Sequence, residues 1–421
     1  MSSVAVRNFG CRANQAEAFA WADALQARGL TLEESAGRSD VVLVNSCTLT
    51  GRADRDVRKL IRTVGRENPA ARVVVTGCYA ERAPEELASL ANVVAVLGTN
   101  DKDRVVETVA GLARVSPRVA PYGTAAETAA FRARAYLKVQ DGCDNRCAFC
   151  VIPALRGPSV SVPPGEAAAS ARDLAARGFR EIVLAGIHLA SYGRDLRPRL
   201  SLLDLLREIG EATKPARLRL SSLDPALVDD ALIDHLAADD AICRHFHLSL
   251  QHASERVLGE MGRPGGSRSH EELLSRLASR VPDTALGADI IVGFPGETDD
   301  DFKELEALIE DSALTYVHVF PFSPRPATLA WDRPRVADGV VTARAKALRR
   351  LSAEKDFRFR ERFLDRELEA VVIRNSDRGA EVLTGNDIKV AVPRSPAPRR
   401  ERVWVRIGRV LPLATEGEVV G

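Results

Sequence analysis

The chain has 421 residues, 45% of them apolar and 28% charged, with a net charge of +1 and seven cysteines. That length suits two or three domains, and no apolar run approaches the roughly 20 residues that a membrane span needs. The odd cysteine count, and an N-terminus (Met1-Ser2-Ser3-Val4) without a basic and apolar leader, predict a cytoplasmic protein whose thiols are ligands or free groups.

In residues 1–114, apolar strands predicted at 4–9, 41–45, 72–76 and 93–97 alternate with helical patterns at 15–28, 53–66, 85–90 and 101–112. This alternation predicts an open α/β domain with a mostly parallel sheet. Cys11, Cys47 and Cys78 each lie just past the carboxyl end of a predicted strand. Ligands bind at that edge in open α/β sheets, so three cysteines distant in sequence can meet there. They read as a three-thiolate site.

Residues 115–131, rich in Ala, Thr and Pro, read as a linker. Alternation then resumes over 132–339, with strands predicted at 135–140, 181–185, 217–221, 246–250, 288–293 and 316–320. Helices are expected at 165–177, 202–212, 227–237, 270–279 and 300–311 between them. Six βα units are too few for a closed eight-fold barrel, so a partial, TIM-like (β/α)6 barrel is expected, with its site at the carboxyl ends of the strands.

The loop after the first of these strands carries Cys143, Cys147 and Cys150 in the spacing Cys-x3-Cys-x2-Cys. Three thiolates are one short of a closed four-ligand site. An iron–sulfur cubane held here would keep one iron open, and a zinc ion with a fourth ligand from elsewhere is the alternative. Gly186-Ile187-His188, Ser221-Ser222, Gln251-His252 and Phe294–Glu297 end the following strands on the same face, leaving room and hydrogen bonds for a ligand. Cys243 reads as an ordinary core or near-surface thiol, and His245 and His247 as structural or substrate-pocket groups.

A basic helix is expected within the connecting segment 340–366, and five short strands over 367–421 predict a small β-barrel of the oligonucleotide-binding kind. Residues 341–410 carry 18 Lys plus Arg against 10 Asp plus Glu, which favours a polyanionic partner. Trp404 is the one aromatic residue after position 367, so stacking on an array of rings is not expected.

These motifs resemble a known family. Cys-x3-Cys-x2-Cys with Phe149 before its last cysteine is similar to the cluster loop of radical S-adenosylmethionine enzymes. Phe-Gly-Cys-Arg-Ala-Asn-Gln, Val-Asn-Ser-Cys-Thr, Val-Thr-Gly-Cys-Tyr and Asp-Ile-Ile-Val-Gly-Phe-Pro-Gly-Glu-Thr narrow the likeness to the methylthiotransferases, over essentially the whole chain. The resemblance implies two [4Fe–4S] clusters, one on Cys143, Cys147 and Cys150 that binds S-adenosylmethionine, and a sulfur-bearing one on Cys11, Cys47 and Cys78. It implies Phe149, Gly186 and Ser221 beside the cofactor, an RNA-binding TRAM domain at the C-terminus, and a flavodoxin- or ferredoxin-type electron donor. Gly10–Gln15, Gly186–Leu189 and Leu383–Asp387 are most similar to the members that act on N6-threonylcarbamoyladenosine at position 37 of tRNA. Members acting on isopentenyladenosine, or on an aspartate of a ribosomal protein, are the nearest alternatives. A zinc-binding RNA module without catalysis is the alternative from another class. Ala13 and residues 16–18 are smaller than is usual in the family, and 392–402 is a Pro- and Arg-rich version of its loop.

Overall fold

The computed structural model describes residues 2–113, 133–393 and 397–420, so the expected linker 115–131 lies outside the described residues. The first unit runs β1 (Ser3–Asn8), α1 (Arg12–Ala27), β2 (Thr31–Leu32), β3 (Val41–Ser46), α2 (Gly51–Glu67), β4 (Arg72–Gly77), α3 (Cys78–Arg82), α4 (Pro84–Ala88), β5 (Val93–Leu97) and α5 (Val105–Leu112). Its strands form one parallel sheet in the order β2-β1-β3-β4-β5. The apolar runs of β3 and β4 are central because both faces of a parallel sheet are covered. Val57, Ile61 and Val64 of α2 pack on one face, and Trp21 and Leu25 of α1 with Val105 and Val109 of α5 on the other. Thr50 starts α2 by accepting from the Ala53 amide at 3.2 Å.

Two local expectations are corrected. The single short helix at 85–90 is a pair, because Gly77 turns the chain directly into a helix at Cys78 and Pro84 restarts it. The helix expected from residue 101 begins as a 3-10 turn over Thr99–Arg104, since Asp101 is not helical, and becomes α5 at Val105.

The central unit runs β6 (Ala135–Lys138), β7 (Gln140–Asp141), α6 (Ile152–Arg156), β8 (Val160–Ser161), α7 (Pro164–Ala176), β9 (Glu181–Ala185), α8 (Leu202–Thr213), β10 (Arg217–Leu220), α9 (Asp230–Ala238) and β11 (His245–Gln251). It continues through α10 (Glu255–Glu260), α11 (Ser267–Arg280), β12 (Ala285–Val292), α12 (Asp299–Asp311) and β13 (Tyr316–Pro321). Two parallel triplets, β10-β9-β6 and β11-β12-β13, are joined where the Leu218 and Leu223 amides donate to the carbonyls of Ala241 and His247, both at 2.8 Å. The result is an open arc of six strands, as the sequence leads one to expect.

Alternate residues such as Ile182, Leu218, Phe246 and Ile290 face the helices, and their neighbours face the concave side. Helix α1 lies against that side at one edge. Ala16 packs on Tyr136, Val183 and Ala185, and Phe19 meets Phe179 edge-on at 5.6 Å. Ala13, Ala16 and Ala18 are all buried, so these small residues serve close packing of α1.

Helix α13 (Asp338–Glu361) leads to a closed barrel of β14 (Glu367–Ser376), β15 (Gly379–Thr384), β16 (Lys389–Val392), β17 (Arg402–Leu411) and β18 (Ala414–Val419). Val372, Val382, Val390 and Val405 fill it, closed by Phe359 and Phe363. Its β15–β16 turn sits against the amino ends of the central strands. There the fully buried Glu181 accepts from Arg134, Arg217 and Arg219. Arg219 also donates to the Thr384 carbonyl at 2.9 Å and Asp387 at 3.0 Å, and Arg217 to the Leu383 carbonyl at 2.7 Å. In the Pro- and Arg-rich loop, the Arg400 guanidinium stacks 4.0 Å above the Phe179 ring centre. Among the described residues, no helix is long and apolar enough to cross a membrane.

Candidate metal centres

In the order β2-β1-β3-β4-β5 the direction of winding reverses between β1 and β3, and a crevice opens there at the carboxyl edge. Cys11 caps α1 beside it, Cys47 follows β3, and Cys78 is the first residue of α3. Asn14 ties these segments together. Its Nδ2 donates to the carbonyls of Phe9 (3.1 Å) and Ser46 (3.0 Å), and its Oδ1 accepts from the Cys11 thiol at 3.4 Å. Gly10 has a φ of +116°, and a Cβ there would lie 2.7 Å from Cys47 Cβ, so only glycine lets Cys47 come this close. Burial pushes the Cys47 thiol up to about 12, with Cys11 adding to the effect, and raises Cys78 against the pull of Arg156.

The central trio sits on the loop between β7 and α6. Gly142 turns the chain at a φ of +68°, where any Cβ would strike the Pro158 carbonyl oxygen. The Cys143 amide donates to the Gly157 carbonyl (3.1 Å), and Ala148 exchanges backbone bonds with Met261 and Ala330 (both 2.8 Å). Burial raises Cys147 and takes Cys150 to about 12. Arg263 lies beside Cys147 and is held by Asp224 (3.0 Å) and the Ser249 carbonyl (2.8 Å). His188 pairs with Asp224 at 3.1 Å. Burial disfavours its charged form, but Asp224 and Cys143 overrule that and raise it to about 9. The Gly186 amide donates to Ser221 Oγ at 3.3 Å, so these two predicted residues meet at adjacent strand ends. Phe149 packs against an apolar cluster that includes Val257, Met261 and Phe294.

The spacing of the thiols bears on what they hold. A tetrahedral zinc with Zn–S bonds of about 2.3 Å brings its sulfurs within about 4 Å of one another. Among the described residues, neither cysteine trio gathers its three sulfurs within 4.8 Å. A multinuclear cluster spreads its thiolates wider than one ion does, so this spacing suits a cluster better than a single zinc ion.

Arg156, at the end of α6, joins the two sites. Its Nε donates to Cys78 Sγ at 3.2 Å, its Nη1 to Glu17 (3.0 Å) and Asp141 (2.7 Å), and its Nη2 to Asn14 Oδ1 (2.7 Å). Lys102 and Lys138 pair with the same two carboxylates at 2.7–3.2 Å. Burial alone would raise the Glu17 carboxyl, but Arg156, Lys138 and Lys102 override it and hold it at about 2. A carboxyl depressed in the folded state adds stability above its unfolded value, and loses it as pH falls from about 4.5 towards 2. The gap corresponds to about 3 kcal/mol at most. Urea midpoints of the cluster-free chain and of Glu17→Gln are therefore expected to differ most at pH 7 and to converge below pH 4.5.

Arg156, Glu17, Asp224 and Arg263 are site residues that sequence reasoning passed over. Cys243 is buried, the core rather than the near-surface alternative for that thiol.

A half-open arc of six βα units, with three thiols on the loop at its first strand end, is the framework of a radical S-adenosylmethionine enzyme, which works with that cofactor and a [4Fe–4S] cluster. The radical SAM superfamily matches residues 137–309, and an uncharacterised protein family, UPF0004, matches 3–98. Threonylcarbamoyladenosine tRNA methylthiotransferase MtaB of Thermotoga maritima is 34% identical over 87% of this chain and 86% of its own length. Ribosomal protein uS12 methylthiotransferase RimO of an Anaeromyxobacter is 34% identical over 92% and 85%. The fold is also similar to that of the radical S-adenosylmethionine methyltransferase TsrM of Kitasatospora setae (TM-score 0.55, 17% identity, 79% of this chain and 75% of that one). The chain belongs to the methylthiotransferase family of radical S-adenosylmethionine enzymes.

Proposed function

We propose that this enzyme adds a methylthio group to C2 of N6-threonylcarbamoyladenosine at position 37 of tRNA. The observation that carries the substrate is the run of relatives bearing that activity in their names, at 31–34% identity over 80–97% of this chain. Cys143, Cys147 and Cys150 would hold the cluster that binds S-adenosylmethionine, and Cys11, Cys47 and Cys78 a second cluster. When bound, these groups supply one-electron cleavage of the cofactor and a sulfur to transfer.

The chain's own residues do the positioning. Gly186 lets Gln140 and Leu189 close in at the end of β9, where a Cβ would lie 3.0 Å from each, and Ser221 anchors its amide. Arg263 and His188 bring positive charge beside Cys147 and Cys143, next to which the cofactor's carboxylate would be neutralised. Arg156 holds Cys78 and the central loop in one frame. The C-terminal barrel, entered from the basic helix α13, is read as a TRAM domain that takes the tRNA backbone, and such a substrate fits a cytoplasmic enzyme served by a flavodoxin- or ferredoxin-type donor. The test is mass spectrometry of digested tRNA from cells lacking the gene. The 2-methylthio-threonylcarbamoyl nucleoside is expected to disappear while its unthiolated precursor accumulates, and an unchanged nucleoside profile overturns the reading.

A further inference from the structure

The concave face of the half-barrel carries another donor set that shares no residue with either thiol trio. His247 on β11, Asp289 on β12 and His318 on β13 stand on three adjacent parallel strands, with Asp289 in register with His318. One donor atom from each lies within 4.8 Å of the others, and among the described residues this is the one such group of His, Cys and carboxylate side chains. His247 Nε2 is 2.9 Å from Asp289 Oδ1, and His318 Nδ1 is 3.4 Å from the same oxygen. Ligands at about 2.1 Å from a shared cation stand roughly 3.0–3.4 Å apart, so the spacing is already that of a coordination shell.

The groups behind these donors also fit. His247 Nδ1 is 3.0 Å from the Tyr316 hydroxyl, which is itself 2.7 Å from His245 Nε2. In the tautomer with its proton on Nδ1, His247 donates to Tyr316, the outer-shell contact that orients a metal-binding imidazole. In that tautomer the Nε2 lone pair of His247 faces the Asp289 carboxylate. Two acceptors 2.9 Å apart require a cation between them, either a proton or a metal. Gly287 makes the arrangement possible. A Cβ there would strike the Tyr316 ring and hydroxyl and come within 2.7 Å of His247 Nδ1. The His318 side chain is 57% exposed, so the site is open on one side.

We propose that His247, Asp289 and His318 bind a divalent first-row transition-metal cation, with open positions turned to the barrel interior. Two imidazoles and one carboxylate suit Zn²⁺, Fe²⁺ or Mn²⁺, and oxygen donors complete the shell. The experiment titrates MnCl2 into cluster-loaded protein under anaerobic conditions and reads free Mn²⁺ by electron paramagnetic resonance, with no tRNA present. The outcome is thus independent of the substrate assigned above. The unaltered chain is expected to bind one Mn²⁺, His318→Ala to bind it about tenfold or more weakly, and His318→Asp to restore binding with an oxygen ligand. Cluster iron is expected to be unchanged in all three, which reports that they are folded. No Mn²⁺ bound by the unaltered chain, or equal binding by His318→Ala, overturns the proposal and leaves a proton-bridged ion pair.

Discussion

Replacing Cys11, Cys47 and Cys78 together by Ala is expected to halve the iron and sulfide taken up on anaerobic reconstitution, while S-adenosylmethionine is still cleaved to 5′-deoxyadenosine. The two trios lie on different sheets and share no residue, so one can be emptied without touching the other's donors. Cys47 and Cys78 are buried, and losing a small sulfur there costs about 1 kcal/mol each by lost packing, which a domain of this core size tolerates. Methylthio transfer is expected to vanish, since the sulfur to be transferred would have no holder. Iron content equal to that of the unaltered chain sinks the two-cluster reading. Loss of 5′-deoxyadenosine together with the iron would mean that the sites are not separable.

The largest stability effect is expected at Arg156. Its side chain is fully buried among Glu17, Asp141, Asn14 and Cys78, and with Lys102 and Lys138 it ties α1 and the central loop into one charge network. Arg156→Met keeps most of the volume and removes the charge. Glu17, itself almost fully buried, would keep two lysines as counter-charges and a 3.4 Å hydrogen bond from Asn45. Breaking one partner out of a buried charge network costs about 3–5 kcal/mol, because a desolvated carboxylate is left under-compensated. Chemical denaturation of the cluster-free chain is the measurement, and a loss below about 1 kcal/mol would show that Lys102 and Lys138 suffice. Arg156→Lys is expected to recover only part of the loss, since an ammonium cannot reach Cys78, Asn14 and two carboxylates from one plane.

Much of this arrangement was legible in the sequence. The runs at 41–44 and 73–75 are so uniformly apolar that only a strand covered on both faces accounts for them, and the cysteines beyond them then fall on one edge. The residues between the two sites were not legible, for a physical reason. Glu17, Lys102, Asp141 and Arg156 come from separate elements, and nothing in the neighbours of any one of them marks it as buried. The pattern Arg217-Leu218-Arg219-Leu220 betrayed a strand, but alternation suggests a solvated face for the arginines. They are buried instead because Glu181 and the carbonyls of the β15–β16 turn replace water. The helix at Cys78 escaped notice because it starts at a turn only Gly77 makes possible. His247, Asp289 and His318 converge only once the strand register is known.

The docking of the β15–β16 turn on Arg217 and Arg219 sets a length scale for the substrate. It fixes the C-terminal barrel at the amino ends of the central strands, whereas the Cys143 loop lies at their carboxyl ends. β12 has eight residues, which at about 3.3 Å each separates the two ends by about 25 Å. A free nucleoside cannot reach both ends. An RNA that touches both must present one base at the mouth while its helical stem lies along the side of the arc. With the barrel on the RNA backbone, as proposed above, the protein would work as a caliper, measuring from that grip to the single base it alters.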